Sequence, residues 1–100
     1  MDFFICVNIK ERGNMPEISR FLGIKITMYQ DDHNPPHFHA VYSEYEAQFS
    51  IAPLEIIKGK LPPRVLGMIM EWASMHKNEL LKNWESLQNG QQIKKIKPLV

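Results

Sequence analysis

Cysteine is nearly missing from this chain. The single Cys6 among 100 residues excludes an internal disulfide and any zinc module built on several thiolates. A reducing compartment is the simplest setting for it. No apolar run is long enough to span a bilayer. The apolar start, Met1–Ile9, lacks the basic flank and small-residue cleavage site of a signal peptide. The expectation is a cytoplasmic protein with no membrane partner. Neither sign of charge prevails: 12 Lys+Arg stand against 11 Asp+Glu, a formal net charge of +1, so bulk charge does not advertise nucleic acid. There is no glycine-rich phosphate loop, no G-x-S-x-G elbow and no H-E-x-x-H helix. With 44% apolar and 23% charged residues the chain is composed like a globular protein, and at this length it holds one core.

What is present is a run of strand-like segments followed by a helical one. Asp2–Ile9 is short, apolar and β-branched, which suits an edge strand. Lys10–Asn14 is a polar break, and Met15 opens what looks like a fresh start. Residues 1–14 therefore form an N-terminal extension, and residues 15–100 a single domain. From Ile18 to Tyr29 the pattern is strand-like, with Ile24, Ile26 and Met28 alternating with Lys25, Thr27 and Tyr29. Gln30–Pro36 (QDDHNPP) is dense in turn formers. His37–Ile51 reads as a hairpin turning at Ser43–Glu44. That register opposes Tyr42 to Tyr45, Ala40 to Ala47 and Phe38 to Phe49 on one wholly apolar or aromatic face. It opposes Val41 to Glu46, His39 to Gln48 and His37 to Ser50 on the other, and a one-residue slip would mix the two.

Leu54–Ile57 suggests another strand. Pro62–Pro63 then opens one long helix running to about Gln88, where Asn89–Gly90 is a natural stop. Leu66, Ile69, Ala73, His76, Leu80, Trp84 and Leu87 form its apolar stripe. The lysine-rich tail, Ile93–Val100, would add a final strand. The fold class is thus α+β: a small antiparallel sheet of four to five strands packed on one long helix in the C-terminal half. The face carrying His37, His39, Glu46 and Gln48 is expected to stay open or to meet a partner.

The chemistry concentrates in Asp31–His39, DDHNPPHFH. On a strand, the side chains of His37 and His39 leave the same face about 6–7 Å apart, close enough to chelate one ion. His33, Asp31 or Asp32 could add a ligand from the loop, and Glu46 one from the next strand. Imidazole with carboxylate suits a divalent transition metal: zinc, manganese, iron or nickel. The same histidines would also serve acid–base chemistry without metal, for instance RNA cleavage, with Lys25 or Arg20 neutralising the scissile phosphate. A third reading keeps them as histidines on a polar sheet face bonded to neighbouring carbonyls. His76, on the helix stripe, reads as a core histidine, Trp72 and Trp84 as packing under the sheet, and the lysines of the tail as a solvated edge.

Several segments together resemble a family of small bacterial proteins catalogued as domain of unknown function 4160. They are MPEISRFLGIKITMY, the DDHNPPHFHA run, YSEYEA, LPPRVLGMIMEWASMHKNELLKNW and IKPL, and they reach from Met15 to about Leu99. The motif positions are Asp32, His33, Pro35, Pro36, His37, Phe38, His39, Glu46, Trp72, His76 and Trp84. The resemblance implies no settled activity. It implies a gene lying beside that of another small protein, in a layout like a toxin–antitoxin module. The expected partner is that neighbouring protein, with RNA as a substrate if the chain is a toxin, and a homo-oligomer is compatible. The extension at residues 1–14 departs from the family pattern.

Overall fold

The computed structural model describes residues 16–30 and 32–100. The strand-like Asp2–Ile9, the extension that contains it, and Asp31 lie outside the described residues. Among the described residues, five strands form one antiparallel sheet in simple sequential order: β1 (Glu17–Phe21), β2 (Ile24–Thr27), β3 (His37–Tyr42), β4 (Tyr45–Ile51) and β5 (Leu54–Gly59). Two helices follow, α1 (Pro63–Met75) and α2 (Lys77–Gln88). The architecture is α+β, as the sequence pattern predicts, with the upper of the two strand counts.

The β3–β4 register is the one that separates the faces: Phe38 opposes Phe49, Ala40 opposes Ala47 and Tyr42 opposes Tyr45 across a turn at Ser43–Glu44. Phe38 and Phe49 stack with centroids 5.1 Å apart, and Trp72 from α1 meets Phe38 edge-on at 6.0 Å. Ile24, Ile26, Ile51, Val65, Ile69 and Leu80 complete the core. Each side buries the other's apolar surface, which is the main driving force here.

Three expectations are corrected. The strand-like stretch from Ile18 to Tyr29 is a hairpin, because Leu22 and Gly23 both take positive φ (51° and 81°), a primed turn that reverses the chain in two residues. The long helix is two helices of 13 and 12 residues. His76 leaves helical geometry at φ −124°, its ring lies 5.5 Å from Trp72, and its Nδ1–H donates to Glu79 in the first turn of α2. The tail forms no strand. Its backbone groups pair with side chains instead: Asn83 binds both the carbonyl and the N–H of Lys94 at 2.9 Å, and the Trp72 indole N–H donates to the Lys97 carbonyl at 2.9 Å. A single ladder-like bond, Ile96 N–H to the Ile18 carbonyl at 2.8 Å, lays the tail along β1.

No helix among the described residues is long and apolar enough to cross a membrane.

Candidate metal centre

Strand alternation sends His37 and His39 to the sheet face opposite the aromatic core, with Ser50 and Gln48 across from them on β4 and Thr27 across from His39 on β2. That face is not open at this end. His37 and His39 are 7% and 5% exposed, and Thr27 and Ser50 are buried with them. The roof is built from three parts. Tyr29 meets the His39 ring edge-on at 4.3 Å. Trp84 of α2 lies 5.2 Å from the His37 ring. The loop between β2 and β3 brings Asp32 over both imidazoles, and the amide of Gln88 reaches the Asp32 carbonyl at 3.5 Å. The loop's Asn34–Pro35 bond is cis.

Asp32 is the centre of the arrangement. Its Oδ2 lies 2.9 Å from Nε2 of His39 and 3.1 Å from Nε2 of His37. The ligand-capable atoms of Asp32, His37 and His39 all fall within 4.8 Å of one another. The outer nitrogens also face oxygen. His37 Nδ1–H donates to the Pro35 carbonyl at 2.8 Å, and His39 Nδ1 lies 3.5 Å from Glu46 Oε2. A histidine that donates its Nδ1 proton to a carbonyl carries a lone pair on Nε2. In neutral His37 that lone pair confronts a carboxylate oxygen at 3.1 Å, so the geometry calls for a proton or a cation between them.

The remaining candidates fall elsewhere. Glu46 sits behind His39, on its outer nitrogen, and not at the point where the other three converge. His33 is exposed and outside the cluster. Lys25 opposes Val41, two register pairs beyond the Thr27–His39 pair, which makes it a diagonal neighbour of His39 at about 7–8 Å. Arg20 opposes Lys25 and is held by Glu17 at 2.8 Å. Sequence reading sets Tyr29 on the polar side of the strand pattern with Lys25 and Thr27, but it does not single out Trp84 and Gln88 as parts of the roof. The helical stripe marks Trp84 as buried without telling which group it covers. Beside the roof, Asn34, Pro36, Leu81, Lys82, Trp84 and Gln88 line an open groove of ≈ 610 Å³.

Fold and site together define a small α+β domain whose sheet carries a buried cluster of two histidines and one carboxylate under an irregular loop. The family model described as a domain of unknown function, DUF4160, matches residues 23–85, a span that takes in this cluster, the whole β3–β4 hairpin and α1. The chain belongs to that family. No curated protein and no solved structure matches it.

Proposed function

We propose that Asp32, His37 and His39 bind a divalent transition metal ion. The observation that carries this reading is the convergence of two Nε2 atoms on one carboxylate oxygen, at 2.9 and 3.1 Å, with each Nδ1 turned toward another oxygen. Metal-bound histidines are held in the same way, their outer nitrogen donating to a carbonyl or carboxylate. Three protein ligands leave coordination positions free, the pattern of a catalytic site more than of a closed structural one. A metal-free acid–base pair of His37 and His39 is less well supported, since all four ring nitrogens already face an oxygen and both side chains are buried. Among candidate ions, imidazole and carboxylate ligands favour zinc, iron, manganese or nickel.

The chemistry proposed for such an ion is hydrolysis of an RNA phosphodiester. A bound ion lowers the pKa of its water toward neutrality and stabilises charge on phosphoryl oxygens. Lys25, on the same sheet face, supplies positive charge nearby. The biological setting proposed is a two-gene module resembling toxin–antitoxin pairs, with a small neighbouring protein as partner. This setting rests on the family resemblance alone.

The test has two parts. Calorimetric titration of the full chain with zinc, manganese, nickel and ferrous ion should show uptake of at least one. Uptake should be lost in Asp32→Ala and in the His37→Ala/His39→Ala double variant, with folding checked by circular dichroism. If none of the ions binds, the metal reading fails. Labelled RNA is then incubated with the loaded protein, with and without chelator. Intact RNA in both would remove the hydrolytic reading and leave a metal-binding interaction module.

A further inference from the structure

We infer that Glu46 is the positioning residue for His39: it accepts a hydrogen bond from Nδ1–H and so commits the Nε2 lone pair to the ion. The inference rests on the metal reading above and assigns Glu46 a place behind the ligand set instead of within it.

Three observations carry it. First, His39 is 5% exposed, and its Nδ1 is buried without a hydrogen-bond partner. A buried ring nitrogen left unpaired is costly, so an acceptor within reach has a physical reason to be used. Second, such an acceptor stands at Glu46 Oε2, 3.5 Å from Nδ1. The β3–β4 register explains this approach. Glu46 opposes Val41 and His39 opposes Gln48, so Glu46 and His39 are diagonal neighbours on one face. Third, the Glu46 side chain is 57% exposed and faces no lysine or arginine within ion-pair distance among the described residues. Among the described residues, closing a gap of a few tenths of an ångström would break no other ion pair of Glu46.

The two histidines are then held by different means. His37 donates its Nδ1–H to a backbone carbonyl, that of Pro35, which no side-chain substitution at that position removes. His39 depends on a side chain that can be changed while the backbone stays in place. Loss of such outer partners typically weakens metal binding about 10–100-fold. Because Glu46 is exposed, removing it should leave the metal-free fold nearly untouched.

The experiment compares the full chain with Glu46→Ala and Glu46→Gln, each titrated with zinc. Glu46→Ala should weaken zinc binding about 10–100-fold. Glu46→Gln, whose amide oxygen still accepts a hydrogen bond, should restore most of the affinity. The thermal midpoints of the three metal-free proteins should coincide. Ring-nitrogen NMR of the zinc-loaded proteins gives a second readout: the His39 Nδ1–H signal should exchange faster in Glu46→Ala, while that of His37 stays unchanged. Zinc affinity in Glu46→Ala within about twofold of the unaltered chain, well short of the loss expected for an outer partner, overturns the inference. An unchanged His39 signal does the same. Failure of the unaltered chain to bind zinc or the other ions is a different result, and removes the metal reading itself.

Discussion

The two faces of the sheet are built from the same strands and buried by opposite means. On one, Phe38, Phe49, Ile24 and Ile26 meet the helices through apolar surface alone. On the other, His37, His39, Thr27 and Ser50 are buried just as thoroughly, beneath a loop, a tyrosine and the flank of α2. The first kind of burial is stabilising in itself. The second costs desolvation unless each polar group finds a partner. Here the partners are Asp32, the Pro35 carbonyl and, at longer reach, Glu46. Thr27 Oγ1 and His39 Nδ1 remain unpaired on that face. A fold selected for stability alone would fill this face with apolar side chains. Its polar burial points to a use.

Substitutions should separate the two faces. The largest effect belongs to the apolar one: Trp72→Ala, which removes the fully buried ring packed on Phe38 and Phe21, should cost about 3–5 kcal/mol in denaturant unfolding. Next comes the polar face with its ion. Zinc at about one hundred times its dissociation constant should stabilise the chain by about 2.7 kcal/mol, seen as a raised melting temperature. Chelator should reverse this gain, and Asp32→Ala should lack it. Gly59→Ala strikes the backbone both faces share. Gly59 has φ +80°, and a Cβ there would overlap the Glu46 carbonyl oxygen, so the change should cost about 2 kcal/mol. Leu22→Asn touches neither face. It places a residue tolerant of positive φ at the exposed turn, and should stabilise by about 0.5 kcal/mol.

The smallest effect concerns the solvated end of the polar face. Arg20 holds the Glu17 carboxyl below its ordinary value, chiefly through their hydrogen bond. A lowered carboxyl contributes stability above the usual carboxylate range and loses it as pH falls through the lowered value. Arg20→Ala should therefore cause a slight loss of stability at neutral pH that vanishes in acid. Comparative unfolding at the two pH values checks this.

The apolar face was legible in the sequence because its pattern is redundant. Three cross-strand pairs sort cleanly only when Ser43–Glu44 is the turn, and the structure has that register. The turn at Leu22–Gly23 was missed: leucine rarely takes positive φ, and the one signal there, Gly23, stands alone before an alternation that begins only at Ile24. The helix break at His76 was hidden too. No proline or glycine marks it, and the apolar spacing of 3 and 4 continues across it. The polar face was half legible. H-x-H on a strand places two imidazoles together from local geometry alone. Among Asp31, Asp32 and His33, no periodicity tells which side chain of a loop will point inward. Glu46 was within reach of the site by register, but register does not distinguish the ring nitrogen it approaches.

The tail has a consequence for how the protein is made. Trp72 and Asn83 are buried residues of the two helices, and their hydrogen-bonding partners, Lys97 and Lys94, come after both helices in the chain. Ile96 likewise donates its N–H to the Ile18 carbonyl on β1. Until the tail is in place, the Trp72 indole, the Asn83 amide and the Ile18 carbonyl lack these partners. Closure comes only when the residues around position 97 have cleared the exit tunnel. A nascent chain stalled before that point, or cut short by a premature stop codon, would present an incomplete core to chaperones and proteases.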